Sequence, residues 1–219
     1  MNFNKPKFWD NKFNLFTFFL IPFSIIMFVI IFLRKKLIKE FNFNLPIICV
    51  GNIYLGGTGK TPLSIFIAKE LLRLGKKPLI VRKFYKSHAD EHILIKKGFK
   101  NFLLCKNRVS GIYEAEKKKY NTVILDDGFQ DYKIKKNLNI ICFNQKQLIG
   151  NGLLIPAGPL RESIYSLKKY DGVFLKITDE NSDLDKIFSE IKKVNSKIEI
   201  FNSYVKIKNI DKFDLSQKY

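Results

Sequence analysis

Residues 54–61 read YLGGTGKT and follow directly on the apolar run of residues 45–50. An apolar strand that leads into a glycine-rich loop ending in Gly-Lys-Thr forms a phosphate cradle, because backbone N–H groups and a helix N-terminus point inward. Lys60 adds a full positive charge, and the Thr61 hydroxyl is placed to contact a Mg²⁺ ion that accompanies a nucleotide. The first pattern position is Tyr54 instead of glycine, so a turn that merely precedes a helix stays an alternative. The predicted nucleotide-binding residues are Leu55, Gly56, Gly57, Thr58, Gly59, Lys60 and Thr61.

Two acidic residues, Asp126 and Asp127, follow the apolar residues 122–125. An apolar strand that ends in aspartate is typical of the second half of such a phosphate site, where a carboxylate holds Mg²⁺ directly or through water. The sequence therefore predicts a metal site built from Thr61, Asp126 and Asp127. The alternative is a strand that ends in a solvated turn.

Phosphoryl transfer to an alcohol also needs a group that orients or deprotonates the hydroxyl. Asp90 and Glu91, flanked by two histidines, are the candidates, in a polar loop predicted for residues 82–90. Arg108 and Arg161 could neutralise charge that develops on the transferred group. Surface charges without a catalytic role are the alternative for each of these residues.

Predicted strands and helices alternate along the chain, which indicates an α/β fold with a mostly parallel sheet flanked by helices. Strands are expected at residues 45–50, 78–81, 102–105, 122–126, 139–143 and 171–177. Helices are expected at residues 62–72, 109–120, 160–169 and 184–193. Ligands in open α/β sheets bind at the carboxyl ends of the strands, where the candidate residues fall.

The chain has 219 residues and a formal net charge of +19, carried mainly by lysine. Such charge suits an anionic membrane surface or nucleic acid, or it reflects a lysine-rich composition with solvated faces. No basic motif interleaved with aromatic residues is present, so we expect no nucleic-acid partner. Cys49, Cys105 and Cys142 each lie in an apolar segment without metal-binding spacing, and we expect buried free thiols.

Residues 13–33 contain no charged residue, and basic residues flank them on both sides. About 20 apolar residues are enough for a helix to cross a bilayer. The basic cluster at residues 34–39 favours a cytoplasmic location for that side. Pro22 leaves open an interfacial or re-entrant anchor, and a buried soluble helix is the remaining alternative. A phosphate loop this close to the segment points to a lipid or lipid-linked substrate.

These motifs together resemble the tetraacyldisaccharide 4′-kinase (LpxK) family. The resemblance runs from about residue 8 to about residue 180. It is carried by residues 50–62 (VGNIYLGGTGKTP), 90–91 (DE), 107–109 (NRV), 125–130 (LDDGFQ), 150–152 (GNG) and 156–162 (PAGPLRE).

The resemblance implies ATP-dependent phosphorylation of the 4′-hydroxyl of a tetraacyl glucosamine disaccharide 1-phosphate, the lipid A disaccharide precursor. The reaction would take place at the cytoplasmic face of the bacterial inner membrane. By position, Lys60 and Thr61 would hold the β- and γ-phosphates and Mg²⁺, with Asp126 and Asp127 completing the metal site. Asp90 would be the base with Glu91 beside it. Arg108 and Glu162 match positions near the family's active site. No protein partner is implied.

Three departures from the family pattern stand out. Residues 82–85 (RKFY) replace an Arg-Gly-Tyr-Gly stretch, and Asp131 replaces a histidine. The chain ends at Tyr219, before the second lobe and its His-containing motif. We therefore expect residues 1–44 to form the anchor and its basic flank, and residues 45–219 to form a P-loop kinase domain with a truncated second lobe and impaired turnover. A membrane-associated ATPase of the MinD type and an inactive nucleotide-binding remnant are the alternatives. Proteins of the MinD type carry a signature lysine just before the glycine pair, and Leu55 occupies that position here, which counts against this alternative.

Overall fold

The computed structural model describes residues 5–11, 14–179 and 184–204. In this part of the chain, helices alternate with strands. The helices are α1 (Leu15–Leu37), α2 (Lys60–Arg73), α3 (Ala89–Gly98), α4 (Arg108–Lys117) and α5 (Leu184–Val194). The strands are β1 (Ile47–Gly51), β2 (Pro78–Lys83), β3 (Phe102–Cys105), β4 (Thr122–Asp126), β5 (Leu138–Asn144), β6 (Gly172–Ile177) and β7 (Glu199–Tyr204). Short 3₁₀ helices occur at Lys7–Asp10, Lys86–His88 and Ile164–Lys169.

The described strands form one seven-stranded sheet in the order β3-β2-β4-β1-β5-β6-β7, and every neighbouring pair is parallel. Asp126 at the end of β4 is in register with Val50 of β1 on one side and with Arg82 of β2 on the other. Because the strands are parallel, their carboxyl ends meet at one edge of the sheet. The predicted α/β fold with a parallel sheet is confirmed.

The two faces of the sheet are covered by different helices. Cys49 and Leu125 point to the face on which Ile112 of α4 packs, whereas Val50 and Ile124 point to the other face. Residues of α2 and α3 cover that second face. Alternating side chains buried on both faces explain why these strands read as continuous apolar runs. The helices packed on both faces of the sheet hold in place the strand ends that carry the candidate site.

Helix α1 buries its two hydroxyl side chains and exposes most of its apolar ones. Thr17 and Ser24 are 3% and 7% exposed, whereas Phe18 is 69% exposed. Ser24 Oγ donates to the carbonyl of Leu154 at 2.8 Å and accepts from the Ala157 amide at 3.0 Å. By length and composition, α1 is able to cross a membrane, and it is the one such helix in the described ranges. The predicted N-terminal helix is therefore present, while Phe13 of the predicted segment lies outside the described residues.

Several predicted element boundaries were wrong. Residues 160–169 do not form one helix: Leu160 bridges Tyr54 and Leu154, and only Ile164–Lys169 is helical, as a 3₁₀ turn. The reason is that the backbone here folds back on itself, with the Ile155 amide donating to the Leu160 carbonyl, and pairs with residues 53–55, so no helical ladder forms before Ile164. Residues 82–90 do not form one loop, because β2 extends to Lys83 and α3 begins at Ala89. Strand β7 was missed, and its side chains are mostly exposed. The division at residue 44 stays a prediction.

Candidate nucleotide and phosphoryl-transfer site

The loop between β1 and α2 has the backbone of a phosphate cradle. Gly56 and Gly59 have φ values of 141° and 88°, a region that side chains with a Cβ rarely enter. The Asn52 amide nitrogen donates to the carbonyls of Tyr54 (2.6 Å) and Gly56 (3.0 Å), which fixes the curvature of the loop. A Cβ added at Gly57 would meet no atom within 4 Å, so the loop is open on that side. The cradle therefore has room for a ligand against its backbone.

Lys60, at the end of this loop, forms an ion pair with Asp127. Lys60 Nζ lies 3.8 Å from Asp127 Oδ1, and both side chains are largely buried. Burial lowers the pKa of Lys60, and the Asp127 charge opposes that shift. Burial also disfavours the ionised Asp127, but the cations of Lys60 and Arg161 hold the pKa of Asp127 below its usual value. Asp127 itself has a positive φ of 57°, a backbone conformation that is uncommon for a residue with a Cβ, directly after the last residue of β4.

Asp126 is fully buried and saturated with donors. Thr61 Oγ1 donates to Asp126 Oδ2 at 3.1 Å, and Ser64 Oγ donates to Oδ1 at 2.9 Å. The structure therefore brings two of the predicted metal ligands, Thr61 and Asp126, into direct contact. The carboxylate of the third, Asp127, lies beside Lys60 and Arg161. A hydroxyl beside two carboxylates is a donor set that Mg²⁺ prefers.

Arg82 was missed as a site residue by sequence reasoning. Its guanidinium is 1% exposed and forms an ion pair with Asp126 on one side and with Glu91 on the other. It also donates to Thr61 Oγ1 at 3.3 Å and lies 3.2 Å from His88 Nδ1. A basic residue at the carboxyl end of a strand next to the aspartate strand was the available signal, but strand order is not readable from spacing.

Asp90 and Glu91 lie in the first turn of α3, where the helix dipole favours acidic groups. Glu91 contacts Arg82 and lies 3.4 Å from His88 Nδ1. Asp90 is exposed, and no hydrogen bond or ion pair joins it to another described residue. Glu91 thus belongs to the Arg82 network around Asp126, whereas Asp90 faces solvent beside it.

Arg108 and Arg161 both reach Asp127. Arg108 is 5% exposed and donates through Nη2 to the Asp127 carbonyl at 2.6 Å. Arg161 Nη1 donates to the two Asp127 carboxylate oxygens at 3.3 and 3.4 Å. The backbone near Arg161 is tied to the phosphate loop, since its amide donates to the Ile53 carbonyl and Leu55 donates to Pro159. Two guanidinium groups therefore stand beside the phosphate cradle.

Glu162 lies apart from this network. Its buried carboxylate pairs with Lys35 of α1 at 2.5 Å and accepts hydrogen bonds from the hydroxyls of Tyr132 (3.1 Å) and Tyr170 (3.4 Å). Burial, with the Glu162 charge adding to it, raises the pKa of Tyr132 and of Tyr170 far above the ordinary tyrosine value. The structure thus places the predicted catalytic Glu162 where α1 meets the domain and not on the phosphate loop. Its catalytic role stays a prediction.

A cavity of about 770 Å³ connects α1 with this site. Met27, Ile31 and Arg34 of α1 line one wall. Asp127 and its partners Arg108 and Arg161 also line the cavity. Lys83, Lys106 and Lys133 add positive charge to the lining. An amphiphilic molecule with an anionic group could place its apolar part on α1 and its polar part near the phosphate loop.

A parallel sheet with a Gly-Lys-Thr loop after its central strand, and with a buried aspartate on the neighbouring strand, defines a P-loop nucleotide-binding protein. Within that class the sequence profile of the tetraacyldisaccharide-1-P 4′-kinase family (LpxK) matches residues 16–217. The chain belongs to this family, and the resemblance stated from its motifs is confirmed.

Individual relatives agree with this assignment. The chain is 43% identical over 220 residues to the tetraacyldisaccharide 4′-kinase of Pelagibacter ubique, covering 100% of this chain and 69% of the relative. It is 32% identical over 212 residues to that of Francisella tularensis subsp. novicida, covering 84% and 66%. It is 30% identical over 203 residues to that of Desulfotalea psychrophila, covering 78% and 57%. The chain thus spans 57% to 69% of the length of these relatives.

Solved structures show the same fold. LpxK of Aquifex aeolicus, crystallised in complex with ATP, matches with a TM-score of 0.64 and 23% identity, covering 93% of this chain and 86% of that one. FtsY of Mycoplasma mycoides matches with a TM-score of 0.52 and 16% identity, covering 76% and 63%. The predicted P-loop fold is confirmed.

Proposed function

We propose that this protein is an ATP-dependent lipid kinase that phosphorylates the 4′-hydroxyl of a tetraacyl glucosamine disaccharide 1-phosphate. The observation that carries the proposal is one juxtaposition. Asp127, which pairs with Lys60 of the phosphate loop, lines a cavity that Met27 and Ile31 of the apolar helix α1 also line. A phosphate cradle on one side and an apolar helix on the other suit a nucleotide donor and a lipid acceptor. Family membership supplies the identity of the acceptor.

The residues present fit ATP with Mg²⁺. Thr58 Oγ1 is buried without a hydrogen-bond partner at the phosphate loop, which is the state expected of a donor that a ligand satisfies. Lys60 would hold the phosphates, and Thr61, Asp126 and Asp127 would hold Mg²⁺. When bound with ATP, Mg²⁺ neutralises part of the phosphate charge.

The chain's own residues then divide the remaining work. Lys60 and the glycine cradle orient the phosphates, and Arg161 and Arg108 place positive charge where charge develops during transfer. Asp90 is assigned as the group that accepts the proton of the acceptor hydroxyl by its match to the family's base. Its exposed carboxylate, unpaired among the described residues, is free for that role. Glu91 keeps Arg82 in place at the edge of the metal site. Glu162 holds Lys35, and with it α1, against the cavity.

The location proposed is the cytoplasmic face of the bacterial inner membrane, with α1 in the bilayer. Side chains such as Phe18 and Phe19 expose large apolar surfaces that water does not solvate favourably. The last turn of α1 carries Arg34, Lys35 and Lys36, and such clusters favour the cytoplasmic side and anionic headgroups. The basic cavity lining would then lie close to the headgroups.

The test is transfer of radiolabelled phosphate from ATP to purified tetraacyl disaccharide 1-phosphate in mixed micelles, using the whole 219-residue chain. We expect a labelled lipid that forms only with Mg²⁺ and with a free 4′-hydroxyl. An acceptor already phosphorylated at the 4′ position is the matched control and should take up no label. Magnesium-dependent ATP hydrolysis without labelled lipid would instead favour a membrane-associated ATPase. Nucleotide binding with neither ATP hydrolysis nor labelled lipid would favour an inactive nucleotide-binding remnant.

A further inference from the structure

The buried carboxylate of Asp126 already has a cation beside it. Asp126 is 0% exposed, and a fully buried carboxylate is costly unless a positive charge and hydrogen bonds surround it. Thr61 and Ser64 supply the hydrogen bonds, and the guanidinium of Arg82 supplies the charge. The β2–β4 register places Arg82 and Asp126 side by side, so this pairing is built into the sheet.

Arg82 contacts side-chain oxygens of Thr61 and Asp126, which are two of the proposed Mg²⁺ ligands. Thr61 Oγ1 and Arg82 Nη1 both contact Asp126 Oδ2, and Arg82 Nη1 lies 3.3 Å from Thr61 Oγ1. Two cations cannot share one carboxylate oxygen and one hydroxyl without strong repulsion. The arginine and the metal therefore compete for one position.

Arg82 has a second acidic partner, Glu91, which allows the guanidinium to move away from Asp126. Its other amino group contacts Glu91, whose side chain is 34% exposed at the rim of the site, and lies 3.2 Å from His88 Nδ1. The Nε–H of Arg82 is buried without a partner, so the guanidinium does not satisfy all its donors where it lies. A small shift toward Glu91 would keep one ion pair while releasing Asp126.

We propose that Arg82 is a built-in counter-cation that neutralises Asp126 in the absence of metal and competes with Mg²⁺ for Thr61 and Asp126. Arg82 is thus a positioning residue that sets the metal affinity of the site. The inference rests on the proposed nucleotide site and deepens it.

The test measures Mg²⁺ affinity by calorimetry in the whole chain saturated with a non-hydrolysable ATP analogue. Arg82→Met removes the charge and keeps a side chain of similar length. We expect the Mg²⁺ Kd to fall by about tenfold, which corresponds to ~1.4 kcal/mol. We also expect the variant to unfold at a lower temperature than the parent when no metal is present. Added Mg²⁺ should raise the unfolding temperature of the variant by more than it raises that of the parent. A merely structural role would weaken Mg²⁺ binding, so an unchanged or higher Kd overturns the proposal.

Two matched controls isolate the charge. Ser64→Ala removes a neutral hydrogen bond to Asp126 and keeps Arg82, so it should not tighten Mg²⁺ binding. Arg73→Met removes an exposed arginine of α2 that pairs with Glu70, and it should change nothing. Tighter Mg²⁺ binding in either control would contradict the assignment to Arg82.

A measurement on the parent protein covers the case in which Arg82→Met does not fold. The arginines of the sequence are Arg34, Arg73, Arg82, Arg108 and Arg161. With so few, the ¹⁵N–¹H resonance of each arginine Nε can be followed by NMR and Arg82 assigned with Arg82→Lys. Adding Mg²⁺ to the nucleotide-bound protein should shift the Arg82 resonance, while Arg73 stays fixed. An unmoved Arg82 resonance refutes competition. Failure of the parent to bind the nucleotide analogue would instead refute the proposed function itself.

Discussion

Lys60 Nζ lies 3.8 Å from Asp127 Oδ1, and Arg161 Nη1 lies 3.3 Å from the same oxygen. One carboxylate thus orients two cations beside a glycine-rich loop, and it does so in a largely buried position. The two cations in turn keep Asp127 ionised despite its burial. This arrangement pre-orients the charges that a phosphate chain would meet, so little reorganisation is needed on binding.

The first prediction concerns Lys60. Lys60→Met should weaken ATP binding and lower phosphoryl transfer by about 10²-fold to 10³-fold, because the variant loses a preoriented cation in a dry site. Transfer is measured with labelled ATP, and binding is measured by calorimetry. Lys69→Met, on the exposed side of the same helix, is the control and should behave like the parent. Equal activity of the two variants would contradict the role of Lys60.

The second prediction separates chemistry from binding at Asp90. Asp90→Ala should lower kcat by about 10²-fold to 10⁴-fold with ATP affinity retained, because a general base acts on the acceptor hydroxyl and not on the nucleotide. Single-turnover rates and calorimetric Kd values measure the two effects. Asp185→Ala replaces an exposed aspartate in the first turn of α5 and should have no effect. An unchanged kcat in Asp90→Ala would remove Asp90 from the mechanism.

The third prediction uses pH. The folded-state pKa of Asp127 lies below its ordinary value of 3.8, so the unfolded chain takes up this proton at a higher pH than the folded protein does. The ionised Asp127 therefore stabilises the fold above pH 3.8, and this contribution is lost as the pH falls further. Asp127→Asn should lower the free energy of unfolding at neutral pH, and the deficit should shrink in acid.

Urea unfolding of the parent and of Asp127→Asn, from neutral pH down to the acid limit of solubility, measures this difference. Glu190→Gln changes an exposed carboxylate of α5 and serves as the control, with a difference from the parent that should stay flat. A deficit in Asp127→Asn that grows in acid would mean that the fold favours the protonated form of Asp127, against the prediction.

The fourth prediction tests the backbone of the cradle. Gly59→Ala should destabilise the protein by about 1 kcal/mol and weaken nucleotide binding, because φ is 88° and alanine is strained there. The nearest atom to an added Cβ is Lys176 Cδ at 3.7 Å, so the cost is conformational and not steric. Gly172→Ala, in β6 with only ordinary contacts at 3.5 Å or more, should be neutral or stabilising. Thermal unfolding and nucleotide titration distinguish the two.

The phosphate loop and the aspartate strand were predictable because their signals are local in sequence. Gly-Lys-Thr after an apolar run, and two aspartates after another, define short segments whose backbone follows from the residues themselves. The parallel sheet followed from the alternation of strand and helix. For the same reason, the metal-site grouping of Thr61 and Asp126 could be stated before any contact was known.

The role of Arg82 was not predictable, because it depends on which strands are neighbours. Its burial follows from the position of β2 between β3 and β4, and nothing in the local residues distinguishes it from a surface arginine. Glu162 was chosen through family resemblance, and its partner Lys35 lies 127 positions away in the chain. The prediction of a helix at residues 160–169 was wrong because a periodic pattern does not reveal that the segment before Ile164 pairs with the phosphate loop.

The contact of Ser24 with Leu154 and Ala157 has a practical consequence for truncation experiments. Deleting α1 to obtain a soluble fragment would leave the Leu154 carbonyl and the Ala157 amide without the Ser24 hydroxyl as a partner. Two residues further along, the Pro159 carbonyl accepts a hydrogen bond from the Leu55 amide of the phosphate loop. A shortened protein would thus be altered at its phosphate loop as well as in losing the helix proposed to enter the bilayer. Detergent-solubilised material that retains α1 is the appropriate sample for measuring nucleotide affinity.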